Sequence, residues 1–352
     1  MGLVKMIKYS KKKSYNLEQF NNAKPLKAIS KVRAYEKALL EMRGRMDGRI
    51  KSLITAWPKF NDATLNGLEW NTLLVVGARP GVGKTLFMEQ LVTEVIALNK
   101  DENFHVLQFQ FEMPEKTLGM RAFSSITQKD YGVLHSKYEP LDEDIYDKCR
   151  QYTSTLNKNN RVFSIYRPCT VNEFCASIHY HFEQHVIEKD GKKIYPKLLV
   201  TVDHSALFKK DKNEKDRFEM LYNLGEALTY MKRSYPLTFV ILSQLNRNID
   251  DPKRAMEGTY GNYVLDSDLF GADALLQHAD IVVGINKPAA RKIRYYGPER
   301  FQITDPDTLV FHFLKCRNGD TRMSFFKLDR DTIRIVEMNT PSNTQSNTNI
   351  RI

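Results

Sequence analysis

Apolar residues recur along this chain in two rhythms, and each rhythm predicts a kind of element. After Ser30, a capping residue, Val32, Tyr35, Leu39, Met42 and Met46 follow one another at spacings of three and four, the seam of an amphipathic helix. Arg33, Glu36, Lys37, Glu41 and Arg43 fall on the other face, so the seam has to pack on its own domain or dock on a neighbouring subunit. From Leu73 onward, short continuous apolar runs alternate with helical periods. The runs are residues 73–77, 106–111, 162–165, 198–202, 239–242, 281–285 and 310–314. Helices are predicted over 84–98, around Ile145, Cys149, Tyr152 and Leu156, around Val171, Phe174, Cys175 and Ile178, and through Phe218, Leu221, Leu224, Leu228 and Met231 up to Pro236. Strands that are apolar throughout are buried on both faces, and their alternation with helices predicts an α/β fold: a mainly parallel central sheet covered by helices. Two last runs, 323–328 and 333–336, lie close enough in sequence to pair antiparallel.

The same pattern divides the chain. Residues 1–29 lack periodicity and read as a flexible basic arm, 30–49 as the amphipathic helix, a candidate link between subunits, and 50–338 as the α/β domain. The polar stretch 339–352 reads as a disordered tail. The net charge of +11 invites a nucleic-acid partner, but residues 1–50 hold thirteen Lys and Arg against four Asp and Glu, so +9 of it precedes the domain. No apolar run is long enough to span a membrane, and the N-terminus lacks the apolar stretch of a signal peptide. Cys149, Cys169, Cys175 and Cys316 form no CxxC pair, which points away from a zinc framework and toward a reducing compartment such as a cytoplasm.

The strongest local signal is the octet Ala78, Arg79, Pro80, Gly81, Val82, Gly83, Lys84 and Thr85. It fits a phosphate-binding loop with Ala at its first position, and an apolar strand precedes it and a helix follows it. Glycine lets the backbone turn its N–H groups onto phosphate, the helix adds its positive end, Lys84 reaches the β- and γ-phosphates, and Thr85 ligates Mg²⁺. ATP (or GTP) and Mg²⁺ are therefore the expected ligands, and the fold is of the RecA-like P-loop ATPase type.

In open α/β sheets ligands gather beyond the carboxyl ends of the strands, so the residue after each strand is informative. The run 198–202 ends in Asp203, a metal-holding acid. The run 106–111 ends in Glu112, placed to orient and deprotonate the attacking water. The run 239–242 is followed by Ser243 and Gln244, a neutral amide suited to sensing the γ-phosphate.

These blocks occur in one order. The phosphate loop comes first, then Phe111-Glu112-Met113-Pro114, then Ser243-Gln244-Leu245-Asn246-Arg247. Asp268-Leu269, Gln277-His278-Ala279-Asp280 and Lys315-Cys316-Arg317-Asn318-Gly319 follow. The series resembles the ATPase domain of DnaB-type replicative DNA helicases over about residues 50–330. The resemblance implies a hexameric ring with ATP at the subunit interfaces, 5′ to 3′ movement on single-stranded DNA, and unwinding of duplex at the replication fork. It assigns Lys84 and Thr85 to phosphate and Mg²⁺, Glu112 as catalytic base, Asp203 as metal acid and Gln244 as γ-phosphate sensor. It also makes Lys315 and Arg317 cations supplied to the neighbouring subunit's ATP. Primase and a helicase loader are the implied protein partners. The front end departs from the family: only about 30 residues precede the amphipathic helix, as in a compact, phage-type version without the N-terminal collar domain.

Two loops are expected to face DNA. One follows Asp203 and carries Lys209 and Lys210. The other follows Gln244 and carries Arg247, Lys253, Arg254 and Gly271. The family often has Arg-Glu-Ser-Gly after Asp-Leu, whereas this chain has Phe270-Gly271-Ala272-Asp273. Two other readings stay open: a RecA/RadA-like recombination ATPase, which the Ser243–Arg247 and Lys315–Gly319 blocks speak against, and a non-unwinding assembly ATPase or loader. His181 and His185 share a helix face, but without the HExxH pattern they read as a solvated face.

Overall fold

A computed structural model of the chain describes residues 27–255, 262–269, 272–330 and 332–341. Contacts separate residues 1–51 from residues 52–352. In the first unit, α1 (Val32–Met46) takes up the predicted seam, and the Ser30 hydroxyl accepts from the Val32 amide at 3.3 Å. Arg43 and Arg45 sit in its last turn, where cations complement the helix dipole. Of the helix's own residues only Gly44 is buried, and Tyr35 (57%), Val32 (58%) and Met46 (75%) remain largely exposed.

The second unit opens on α2 (Pro58–Ala63). It then alternates β1 (Leu73–Ala78), α3 (Lys84–Leu98), β2 (Phe104–Gln110), α4 (Glu115–Thr127), α5 (Tyr131–Leu134), α6 (Glu143–Asn159), β3 (Val162–Ile165) and α7 (Val171–His185). A hairpin of β4 (Ile187–Lys189) and β5 (Lys192–Ile194) precedes β6 (Lys197–Asp203), α8 (Arg217–Ser234) and β7 (Leu237–Gln244). The short helices α9 (Pro252–Ala255) and α10 (Ala272–Leu276) lead to β8 (Ile281–Asn286). The chain then passes through the pair β9 (Tyr295–Tyr296) and β10 (Phe301–Gln302) to β11 (Thr308–Cys316), β12 (Met323–Asp329) and β13 (Arg334–Glu337).

Nine strands form one sheet in the order β13-β12-β11-β8-β1-β7-β6-β2-β3. The six from β8 to β3 run parallel, and β11, β12 and β13 add antiparallel at the other side. The expected parallel sheet and its antiparallel end are both present. Burial follows the two-residue period of a strand: Leu73 and Val75 face one core, Leu74 and Val76 the other. The first core takes Phe174, Ile178 and Phe182 from α7 and Leu221, Leu224 and Leu228 from α8. The second takes Phe87, Leu91 and Val95 from α3, with Trp57 stacked on Phe87 at 4.8 Å between ring centroids. This is why the runs carry no polar alternation.

Helix α8 stops at Ser234 because Tyr235, the residue before Pro236, is driven into extended backbone. No helix among the described residues is long and apolar enough to cross a membrane.

Candidate ATP-binding site

The carboxyl ends of β1, β2, β6 and β7 lie side by side, since β1 pairs with β7, β7 with β6, and β6 with β2. Each of the predicted nucleotide residues leaves one of these ends. After Ala78 the chain turns through Gly81 (φ +77°) and Gly83 (φ +108°) into the first turn of α3. Side chains rarely adopt those left-handed angles, and a Cβ at either glycine would meet nothing within 4 Å, so backbone conformation and not crowding requires glycine there. The turn puts Lys84 and Thr85 at the N-terminus of a fifteen-residue helix, where unpaired N–H groups and the helix dipole favour an anion.

Thr85 Oγ1 donates to Asp203 Oδ2 at 3.0 Å. The other carboxylate oxygen, Oδ1, is buried with no hydrogen-bond partner among the described residues. Burial, reinforced by the nearby Glu112, raises the Asp203 carboxyl to about 6, against the lowering effect of the Thr85 hydrogen bond and Lys84. Burial likewise lowers Lys84, while the charges of Asp203 and Glu112 oppose that shift. A lysine beside a helix N-terminus, a hydroxyl and a buried carboxylate with a vacant lone pair are a hard, oxygen-rich donor set suited to Mg²⁺ and phosphate.

Glu112 follows β2, whose pairing continues through the Phe111 amide to the Asp203 carbonyl at 2.9 Å. Its side chain is half exposed and lies 3.8 Å from His204 Nε2. His204 itself is buried, and burial next to Lys84 lowers it to about 4, so the imidazole is neutral near pH 7. Gln244 Nε2 lies 3.5 Å from the same His204 nitrogen. His204 thus stands between the two residues expected to handle water and γ-phosphate. The sequence reading missed it, although its position directly after Asp203 was the available signal; the peptide bond joining them is cis.

Glu89 is a second omission. It sits on α3, accepts from Gln110 Nε2 at 3.0 Å, and burial together with the Asp203 charge raises it to about 7.

Arg79 lies within the predicted phosphate loop. Its Nε donates to Asp250 at 2.7 Å and its Nη1 to the Leu245 carbonyl at 3.1 Å. The guanidinium therefore ties the phosphate loop to the segment after β7.

Lys315 and Arg317 lie elsewhere. Strand β11 runs antiparallel to β8 with Cys316 opposite Ile281, whereas Ala78 pairs with Ile285. The two cations are thus at the edge of the sheet away from the phosphate loop, about 13 Å along the strand direction at 3.3 Å per residue. Lys315 Nζ donates to the Leu276 carbonyl at 2.6 Å, and Arg317 lies 3.3 Å from Asp280 with its guanidinium half exposed. Neither can serve the nucleotide site of its own chain.

Of the expected DNA contacts, Lys209, Lys210, Arg247 and Lys253 are exposed, and Gly271 lies outside the described residues. Lys210 Nζ donates to the Lys215 carbonyl at 2.9 Å. That loop is braced by buried Glu214, which accepts from the Asp211 amide at 2.7 Å and from Asn223 at 2.8 Å. Arg254 does not fit its predicted role. Its guanidinium is bidentate on Asp268, a carboxylate only 2% exposed, and also donates to the Tyr263 carbonyl. A buried charge demands a paired counter-charge, and Arg254 supplies it.

The chain is similar to known proteins in sequence and in fold. The family model described as DnaB-like helicase C terminal domain matches residues 53–336. The replicative DNA helicase DnaB of Helicobacter pylori is 25% identical over 237 residues, which cover 67% of this chain and 44% of that protein. A probable replicative DNA helicase of Trieres chinensis is 21% identical over 318 residues, 88% of this chain and 62% of the relative. The chain thus spans less than half of the length of the Helicobacter relative. Two solved structures share the fold. One is an ATPase domain (TM-score 0.67, 16% identity, covering 86% of this chain and 98% of that one). The other is a DnaB-like replicative helicase solved for its interactions with primase (TM-score 0.71, 16% identity, covering 92% and 70%). The match to the family model runs over most of the sheet and every strand end that carries the site, and the chain belongs to the family of DnaB-like helicase C-terminal domains.

Proposed function

We propose that this chain is the motor of an ATP-driven DNA helicase that works as a homo-oligomeric ring on single-stranded DNA. The observation that carries the motor is the meeting of Lys84, Thr85 and Asp203, with Asp203 Oδ1 buried and unpartnered. Mg²⁺ would be held by Thr85 and Asp203 and would neutralise charge on the β- and γ-phosphates. Lys84 binds those phosphates from the helix N-terminus. Glu112, exposed enough to meet solvent, orients the attacking water and takes its proton. Gln244 reads the γ-phosphate, and the Arg79 bonds to Leu245 and Asp250 link the phosphate loop to the segment that bears Arg247 and Lys253. Lys315 and Arg317, remote from their own site, serve the ATP of an adjacent subunit, where a planar guanidinium stabilises charge on the transferring phosphoryl group.

Lys209, Lys210, Arg247 and Lys253 track the phosphate backbone without reading bases. The exposed seam of α1 docks on the neighbouring subunit. The family resemblance adds a hexamer, 5′ to 3′ polarity, a cytoplasmic setting and a primase partner; a solved relative was determined for its interactions with primase.

Unwinding of a forked duplex with 5′ or 3′ tails, with Lys84→Ala as control, tests the reading. Strand displacement that needs ATP, Lys84 and the 5′ tail is the expected result. ATP hydrolysis with no displacement from either tail would eliminate the helicase in favour of a loader or assembly ATPase.

A further inference from the structure

Two histidines of α7, His181 and His185, were expected to face solvent. The structure instead buries His181 and half-buries His185, and β2 brings His105, 76 residues before His181 in sequence, against both. His105 Nδ1 lies 3.1 Å from His181 Nε2, and one ligand atom from each ring lies within 4.8 Å of the other two. His185 Nδ1 lies 2.9 Å from the His181 carbonyl. A carbonyl only accepts, so Nδ1 carries the proton and Nε2 keeps its lone pair. Metal-bound imidazoles are commonly fixed in this way, with the far nitrogen donating to backbone. Phe163 packs against all three rings at 4.8–5.5 Å between centroids and walls the cluster on one side.

We propose that His105, His181 and His185 form a binding site for a borderline-soft divalent cation of the zinc class. Three imidazole nitrogens suit Zn²⁺ and disfavour Mg²⁺, which demands oxygen. At Zn–N distances of about 2.0–2.1 Å, tetrahedral ligands stand about 3.3 Å apart. The observed separations begin at 3.1 Å and reach no more than 4.8 Å, so side-chain rotations of about 1 Å close the site. His105 and His185 are partly exposed, so water can fill a fourth position. Burial and the neighbouring His185 lower His105 and His181 to about 4, so both rings offer lone pairs at neutral pH. Arg161 is the nearby charge that opposes a cation. His105 stands near the start of β2 and Glu112 beyond its end, roughly 20 Å apart at strand rise. The ion would therefore clamp α7 to the sheet at the edge remote from ATP.

The test uses the full chain, without a histidine tag, stripped with a chelator and titrated with Co²⁺. One ion per chain with the intense visible absorption of tetrahedral cobalt is expected, displaced by Zn²⁺ and untouched by Mg²⁺. Zn²⁺ should raise the melting temperature by several degrees. His105→Gln and His185→Gln should each weaken binding about 100-fold, while His179→Gln should leave it intact, since His179 lies on the same helix but bonds Tyr235. X-ray absorption of the Zn²⁺-loaded wild type, which needs no variant to fold, should count three imidazoles. A pale octahedral cobalt spectrum, fewer than three imidazoles, or equal binding by the cluster variants would overturn the site.

Discussion

Thr85 Oγ1 and Asp203 Oδ2 meet at 3.0 Å across the mouth of the phosphate loop, joining the first turn of α3 to the end of β6. The bond satisfies one carboxylate oxygen and leaves the other bare in a buried place. Asp203 is therefore held at a cost to the free protein. Its acid form is favoured in the fold, from an ordinary 3.8 up to about 6, so the fold binds the proton more tightly than the unfolded chain does. Stability falls as pH rises through that window. Asp203→Asn should stabilise the nucleotide-free protein at pH 8, by about 2 kcal/mol in urea unfolding, while cutting Mg²⁺-dependent ATP hydrolysis by about 100-fold or more. A variant that loses stability at pH 8 would contradict this account of the site.

Glu89 extends the same argument. Its carboxyl is raised from 4.5 to about 7, by burial first and then by Asp203. Stability attributable to it is present below pH 4.5 and is lost progressively up to about pH 7. Glu89→Gln keeps an acceptor for Gln110 and should flatten the fall in unfolding free energy between pH 4.5 and 7, with a gain of about 2–3 kcal/mol at pH 8. Because the two acids repel, Asp203→Asn should also move the remaining transition to lower pH. Parallel pH profiles for the wild type and Glu89→Gln would show that Glu89 ionises freely.

Arg317→Ala should bind ATP as the wild type does and hydrolyse it about 1,000-fold more slowly. The trans assignment makes a sharper demand. Arg317→Ala and Lys84→Ala are each expected to be inactive alone. Mixed, they form interfaces in which an intact phosphate loop meets an intact arginine, so turnover should reappear. Mixtures that stay dead across all ratios, with assembly verified by light scattering, would return Arg317 to a local structural role.

Arg254 and Lys253 are neighbours with opposite forecasts. Arg254→Ala strands the buried Asp268 carboxylate and should cost about 3 kcal/mol in stability. Lys253→Ala should leave stability within about 0.5 kcal/mol and lower the slope of log affinity for single-stranded DNA against log salt by about one, as should Lys209→Ala. An Arg254→Ala protein that is fully stable but loses a unit of salt slope would restore Arg254 to the DNA surface.

Much of the fold was legible because burial on both faces leaves an unmistakable apolar run. The parallel strands from β8 to β2 were marked in this way and the helices α3, α7 and α8 by their apolar period, whereas β3, at the edge, is only half-buried. Helix α4 was not, since only Leu118 and Ser124 of it are buried. The hairpin β4–β5 left a local signal that went unread: Asp190 and Gly191 both take positive φ, the turn that joins two strands in two residues. In the candidate site, loop chemistry and strand ends singled out Lys84, Thr85 and Asp203, which the fold brings together. Tertiary partners were invisible: Arg254 looked as basic as Lys253 until Asp268 was placed beside it, and no spacing rule links His105 to His181. Glu89 was hidden by ordinary sequence surroundings, whereas His204 stood directly after Asp203.

The placement of Arg317 at the opposite edge of the sheet from Lys84 has an architectural consequence. If each nucleotide is completed by the next chain, every subunit has a donor side and an acceptor side, and assembly must proceed head to tail. A two-fold dimer, which matches like surfaces, would complete no site. An open string would always end in one idle pocket, and only closure would put every pocket to use. One poisoned subunit would then disable two junctions, so small amounts of a doubly altered chain should silence an assembly out of proportion to their share.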